Sequence, residues 1–311
     1  MVPEISVVCP CYNEEENVEA IAAAVIAELD KAGATFEYIF IDNASQDRTV
    51  EIIKKMCARD PRIKLIANTR NFGQMRSPTH CIYSTSGKAV LGIAADFQDP
   101  PELVGKMIDL WRQGWPIVLG VREEEPAGPW LTFGRKIGYG FFGRFGDVNI
   151  IPGATGFGIY DQKVVQVVKQ WNEPEPFFRA MLVESGFAIA TVPHKRGPRL
   201  RGKSSNTFLP IVDFATSAVS GSAKKLLRLP VFIGILLVGL SMLMALGSLV
   251  GGIFFGTPIG PWLFDSFLEL NMGVLFFFVG LLGDQVRLIS ERTRSTPLVV
   301  EKERINFTRD A

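Results

Sequence analysis

The chain has 311 residues and a formal net charge of +1, which is room for one good-sized domain plus an appendage and gives no hint of a nucleic-acid surface. Its 23 phenylalanines and positive mean hydropathy are high for a soluble enzyme, and the apolar excess lies in the last third. The opening MVPEISVVCPCYNEEEN lacks a basic region followed by an apolar core, so no secretory signal is expected. Cys9, Cys11, Cys57 and Cys81 sit among apolar residues, and His80 and His194 are the chain's only histidines. A zinc site would want more sulfur or imidazole nearby, so buried, reduced thiols of a cytosolic domain are expected.

In chain order, short β-rich runs alternate with helical ones. ISVVCPCYN predicts a strand, and EEENVEAIAAAVIAELDKAG a helix with apolar residues at three-to-four spacing. FEYIFIDNAS predicts a second strand, RTVEIIKKMCARD a helix, RIKLIANT a third strand and KAVLGIAAD a fourth. PPELVGKMIDLWRQG follows as a helix with proline in its first turn, then PIVLGVR as a strand. This alternation predicts an α/β fold with a mostly parallel sheet covered on both faces. Ligands of such sheets bind beyond the carboxyl ends of the strands. Polar clusters stand at those ends: YNEEEN after the first strand, DNASQD after the second and DFQD after the fourth.

The last third changes character. Pro230 to Phe255 runs 26 residues without a charge, long enough to cross a bilayer. Leu270 to Gly283 is uncharged for 14, extended to a span if its flanks reach the interface. Lys224, Lys225 and Arg228 precede the first span, Arg287, Arg292 and Arg294 end or follow the second, and the loop GTPIGPWLFDS holds no Lys or Arg. The positive-inside rule then places both ends in the cytoplasm. The predicted organisation is a cytosolic domain over 1–205, a juxtamembrane region over 206–228, two spans within 229–288 (about 230–255 and 267–288) and a cytosolic tail over 289–311. The juxtamembrane stretch suits a helix lying on the inner leaflet, or a linker helix packed on the domain.

The acids at the strand ends carry the chemistry. Alternate residues of a strand face the same way, so Asp96 and Gln98 are expected to point together into the crevice. One carboxylate and one amide oxygen suit Mg²⁺ or Mn²⁺ when a substrate diphosphate supplies further oxygens. Asp99, just before two prolines, reads as a helix cap, as does Asp47. Asp42 and Asn43, directly off a strand end, suit hydrogen bonds to a nucleobase or ribose.

CPCYNEEENV, FIDNASQDRT, NTRNFGQ, ADFQDPPE, TGFGIYDQKVV and RLRGKSSN, in this order and spacing, resemble the GT-A-type glycosyltransferases of family 2. They are most similar to the membrane branch that loads sugars onto polyisoprenyl phosphates, the dolichol-phosphate mannose synthase type; GLLGDQ after the apolar hairpin resembles that branch's second membrane helix. The resemblance implies a nucleotide pocket lined by Pro10, Tyr12, Asn13, Glu14 and Asp42, with Asn43 and Asp96 adjoining it. It implies a metal at Asp96 and Gln98, with Arg122, Arg199 and Arg201 facing phosphates and Lys203 and Ser204 beside the acceptor. Arginine suits such positions through its fixed fork of donors. It further implies an inverting transfer from a UDP- or GDP-sugar to a polyprenyl phosphate, a homo-oligomer, and a place in the bacterial cytoplasmic membrane with the catalytic domain and both termini inside.

Four departures stand out. Ala94 replaces the first acid of the usual Asp-x-Asp, DNAS replaces DDGS, and Gly156 stands where many relatives carry an acid cast as a base; the lysine common after the serine is Ser205. Loss of that acid favours a lipid phosphate over a saccharide acceptor. A phosphate monoester with a second pKa of about 6 is already ionised at neutral pH, whereas a sugar hydroxyl needs a base. Asp161 and Glu184 remain as candidate bases. Two other readings stay open: a saccharide-directed membrane transferase, and a non-catalytic membrane protein that binds a nucleotide sugar.

Overall fold

The structure, a computed structural model, describes residues 2–123, 151–195, 197, scattered helical positions between 268 and 293, and 297–307. Its strands are β1 (Ile5–Cys11), β2 (Phe36–Asp42), β3 (Ile63–Asn68), β4 (Ala89–Gly92), β5 (Ile117–Arg122), β6 (Ala154–Asp161), β7 (Ile189–His194) and β8 (Glu301–Ile305). Its helices are α1 (Val18–Lys31), α2 (Thr49–Arg59), α3 (Gly73–Tyr83), α4 (Val104–Arg112), α5 (Gln162–Lys169) and α6 (Phe178–Glu184). All eight strands join one sheet in the order β7-β5-β6-β4-β1-β2-β3-β8.

The two-residue period of a strand divides the core into two layers. Val7, Cys9 and Cys11 of β1, with Tyr38 and Phe40 of β2, pack against Ile21 and Val25 of α1, Ile53 of α2 and Met107 of α4. Val8, Ile39 and Ile41 face the other way, onto Cys81 and Ile82 of α3, Val164 and Val168 of α5, and Leu182 of α6. Every residue of β2 is buried, as a strand covered on both faces requires.

The expected α/β architecture is present, but the sheet is mixed. Strands β4, β1, β2 and β3 are parallel neighbours, whereas β6 lies antiparallel between β4 and β5, and β8 runs antiparallel to β3. The pattern ATGFGIYD hides β6 because its glycines lack strand propensity. Gly158 is nonetheless required there: a Cβ would stand 2.5 Å from the Val118 carbonyl oxygen. Helix α3 was also not expected, since Pro78 lies inside it. The tail is more than a tail: residues 301–305 form the edge strand, their alternating charges EKER having masked the pattern. Strand β4 ends at Gly92, four residues before the expected Asp96.

Among the described residues no helix is long and apolar enough to cross a membrane. The span expected over 230–255 and the juxtamembrane stretch lie outside those residues, and of 267–288 only scattered positions are described. Leu275, Val279, Leu282, Val286 and Ile289, four and three residues apart, are helical and exposed.

Candidate active site

The carboxyl ends of β1 and β2 are zipped together by polar contacts. Asp42, fully buried, accepts the Ser45 N–H at 3.0 Å and the Ser45 hydroxyl, and Ser45 Oγ in turn accepts the Asn13 N–H at 2.9 Å. Asn13 Oδ1 accepts the Gln46 N–H at 2.8 Å. Asp47, expected as a cap, lies one residue before Arg48, the N-cap of α2, where no side chain caps the helix; it accepts the Thr49 N–H at 3.0 Å and the Glu15 N–H at 3.1 Å. Glu14 accepts from the Asn17 amide at 2.6 Å. Burial raises the pKa of Asp42 despite the Ser45 hydrogen bonds that oppose it.

Burial pushes the Cys9 thiol up to about 12, with Glu14 and Asp96 adding to the rise. The Cys11 thiol is raised well above its ordinary value, first by burial and then by Asp42 and Glu14 among its neighbours. Glu14 follows β1, Asp42 ends β2 and Asp96 lies beyond β4, and each of these carboxylates acts on a buried thiol of β1. All four cysteines are buried and free.

Asp96 and Gln98 lie on a turn and not on a strand, so strand alternation does not govern where they point. Phe97 between them has φ of 60°, a left-handed conformation costing a bulky residue on the order of 1–3 kcal/mol. The Gln98 N–H donates to Asp96 Oδ1 at 3.2 Å, and both side chains stay partly exposed. Among the described residues no three His, Cys, Asp or Glu are grouped to hold a metal. One carboxylate and one amide oxygen on a tight turn fit a hard cation that takes its other oxygens from a diphosphate and water, and do not fit an all-protein cage.

Asn43, expected at the base or ribose, has its amide occupied internally. Its Nδ2 donates to Asn71 Oδ1 at 2.7 Å and to the Gly73 carbonyl at 3.3 Å, while its Oδ1 accepts from Asn68 Nδ2 at 3.2 Å and from the Phe72 N–H at 2.9 Å. It fastens the loop after β3 to the end of β2, a role that sequence spacing did not reveal. Ala44 beside it has φ of 64°, which glycine adopts without the Cβ penalty. Ala44→Gly is expected to stabilise the protein by about 0.5 kcal/mol, the left-handed penalty exceeding the entropy that glycine adds to the unfolded chain. A fall in the thermal midpoint would contradict this.

Asp99 is not a cap. No side chain caps the 3₁₀ turn Pro101–Leu103, whose N-terminal flank is Pro100, and Asp99 Oδ1 instead accepts from Arg122 Nη2 at 2.9 Å. The candidate base Asp161 has both oxygens engaged, accepting from Lys163 N at 2.9 Å and Trp111 Nε1 at 3.1 Å. It pairs with Ala89 at the start of β4, the sheet edge away from the crevice. Glu184 closes α6. Gly156 is exposed, and a Cβ there would meet nothing within 4 Å. Pro10 and Tyr12 are partly buried at the end of β1. Arg199, Arg201, Lys203 and Ser204 lie outside the described residues. Gly197, just before them, gives its N–H to the Gln98 carbonyl at 3.1 Å.

Residues 6–167 match the family described as glycosyl transferase family 2. An uncharacterized glycosyltransferase of Bacillus subtilis, YkcC, is 30% identical over 304 residues, covering 96% of this chain and 93% of that protein. The bactoprenol glucosyl transferase of Shigella phage SfX is 28% identical over 306 residues, covering 97% and 99%. The crystal structure of mannosyl-3-phosphoglycerate synthase from Rubrobacter xylanophilus is similar with a TM-score of 0.49 at 16% identity, covering 75% of each chain. The family match takes in β1 to β6, and with them the turns bearing Asp42 and Asp96; the chain belongs to glycosyl transferase family 2.

Proposed function

We propose that this protein transfers a sugar, with inversion, from a UDP- or GDP-linked donor to a polyprenyl phosphate at a membrane surface. One topological observation carries the reading. The chain leaves the described domain at the end of β7 and returns at the start of β8, and these are the two edge strands of the sheet. Both points lie at the crevice edge: His194 is level with Arg122, and Glu301 is level with Asn68. The apolar segment between them is therefore anchored on both flanks of the crevice, across seven strand spacings or roughly 34 Å. An even number of crossings by that segment keeps both anchors on one side. Exposed apolar residues from Leu275 to Ile289 suit a hydrocarbon surrounding. Similarity over nearly the full length to bactoprenol glucosyl transferases supports a lipid acceptor.

In this reading the acceptor's phosphate oxygen attacks the anomeric carbon as the bond from that carbon to the donor diphosphate breaks. The electron pair leaves with the nucleoside diphosphate. Asp96 and Gln98 would hold Mg²⁺ or Mn²⁺, which when bound neutralises charge on the departing diphosphate. Pro10, Tyr12, Asn13, Glu14 and Asp42 line the nucleotide side, and Arg122 offers donors to phosphate. No protein base is needed, since the acceptor oxygen is already ionised. The homo-oligomer and the bacterial cytoplasmic membrane, with catalytic domain and termini inside, belong to the same proposal.

The test is an assay of full-length protein with a panel of nucleotide sugars, polyprenyl phosphate and Mg²⁺ or Mn²⁺. Sugar extractable with the lipid is expected; tight binding of a nucleotide sugar with no lipid-linked product across the panel would leave the non-catalytic reading standing. Gly156→Asp checks the missing base. It should fold normally, because its Cβ enters open space, and turnover should change less than about threefold. A gain on the order of 10²-fold would show that a base was wanting.

A further inference from the structure

Three ionisable side chains from three separate segments meet beneath the crevice edge. Asp99, 3% exposed, accepts from Arg122 Nη2 at 2.9 Å, and His194, 6% exposed, brings Nε2 to 3.5 Å from the same oxygen. Among the described residues neither ring nitrogen of His194 makes a hydrogen bond, so its hold on Asp99 is that 3.5 Å polar contact, and the buried Nε of Arg122 makes none either. Well-packed apolar side chains of similar volume would be as stable as such a cluster or more so. Orphaned donors at this depth call for a role other than stability.

The surroundings fix all three groups. Arg122 and His194 are the last residues of β5 and β7 and sit level in register, with the Glu123 N–H donating to the His194 carbonyl at 2.8 Å. The Phe157 ring meets the His194 ring edge-on at 5.7 Å. Gly120 leaves room for both, since a Cβ there would lie 2.5 Å from Phe157 and 3.2 Å from His194. Asp99 directly follows the metal turn and precedes two prolines that restrict its backbone. Only Arg122 keeps appreciable exposure, 24% of its side chain, and a guanidinium carries five donors in a rigid fork. Asp99 takes one edge of that fork.

We propose that Asp99 and His194 are positioning residues, which hold the Arg122 guanidinium so that its remaining donors meet a phosphate oxygen in the crevice beside Asp96. The inference rests on the transferase reading for the identity of that phosphate, donor diphosphate or acceptor monophosphate. It needs only an oxyanion for its test.

The test measures binding by full-length protein in detergent of two probes: inorganic pyrophosphate with Mn²⁺, standing for the donor, and a short-chain prenyl phosphate, standing for the acceptor. Arg122→Leu should weaken one of them roughly 10- to 100-fold, and which one it weakens identifies the phosphate. Asp99→Asn should cost about tenfold on the same probe in the parent and under about twofold in the Arg122→Leu background, because it acts through Arg122. His194→Phe, which keeps the packing on Phe157, should cost about tenfold, whereas His194→Gln should keep affinity within about threefold, both at an unchanged thermal midpoint. Should Asp99→Asn not fold, the two His194 variants decide alone. Equal losses from Asp99→Asn in both backgrounds, equal behaviour of the two His194 variants, or no loss on either probe would overturn the proposal. Failure of the parent to transfer any sugar removes the proposed function without touching these affinities.

Discussion

Asp96→Ala is expected to lower metal-dependent sugar transfer on the order of 10³-fold, about 4 kcal/mol of transition-state stabilisation, while leaving the thermal midpoint within a few degrees of the parent. The two halves of this expectation have separate causes. Asp96 is partly exposed at the rim of the sheet and accepts a backbone N–H from Gln98 at 3.2 Å, so removing it leaves no buried partner stranded. It is also the only acid left in the stretch that ordinarily reads Asp-x-Asp, because position 94 is alanine. No second carboxylate on that turn can take over the cation. Gln98→Ala should be milder, about tenfold, since an amide oxygen contributes no net charge. Measuring turnover against Mn²⁺ concentration separates lost metal affinity from lost catalysis: if excess Mn²⁺ restores Asp96→Ala to parental turnover, the acid only gathers the metal. Retention of full activity at all metal concentrations would place the cation elsewhere.

Much of the candidate site was legible because ligands of α/β sheets bind beyond the carboxyl ends of the strands. The buried runs of β1, β2 and β4 give way to Glu14, Asp42 and the Asp96 turn, and each of these acids raises the pKa of Cys9, Cys11 or both. What the sequence hides is contact between distant segments. Asp99 and Arg122 lie 23 positions apart and pair across the crevice edge, so local spacing suggested a cap where there is an ion pair. Asn43 looks like a ligand-facing residue, yet four hydrogen bonds turn it inward. Left-handed Phe97 defeats any argument from strand alternation, because propensity places a bulky aromatic at positive φ only under tertiary constraint. Strand β6 and helix α3 escaped for a related reason: glycine and proline weaken local signals that packing then overrides.

The coupling of the sheet to its C-terminal return strand leads to the second large effect. Truncation after residue 296 is expected to cost about 3–5 kcal/mol and to lower the thermal midpoint by roughly 10 °C, because it strips an edge strand and its anchors together. Those anchors are numerous. Buried Val299 and the β8 ladder lie on β3, and the Thr69 N–H donates to the Val300 carbonyl at 2.9 Å. Arg76 Nη2 donates to the Pro297 carbonyl at 3.0 Å, Lys54 pairs with Glu303 at 2.5 Å, and Asn306 Nδ2 reaches the carbonyls of Cys57 and Ile63, each at 2.8 Å. Glu301 binds both His80 Nε2 and Arg304 at 2.6 Å. Burial alone would raise the Glu301 pKa, but hydrogen bonds from Arg304 and His80 outweigh it and hold the carboxyl below its ordinary 4.5. A depressed carboxyl stabilises the fold at pH above that ordinary value and loses the contribution as pH falls through the lower folded value. Docking of β8 should therefore weaken only below about pH 4.5, and Glu301→Gln should flatten that acid limb while lowering stability at neutral pH. Under the proposed function the same truncation reaches the donor pocket. Asn68 pairs with Glu301 on one side and holds Asn43 on the other, so the loop from Asn71 to Gly73 loses its outer support, and the KM for the nucleotide sugar should rise more than kcat falls. Hydrogen exchange of β3 amides in the truncated protein is the direct readout. Protection of β3 unchanged from the full chain would mean that β8 only decorates the sheet.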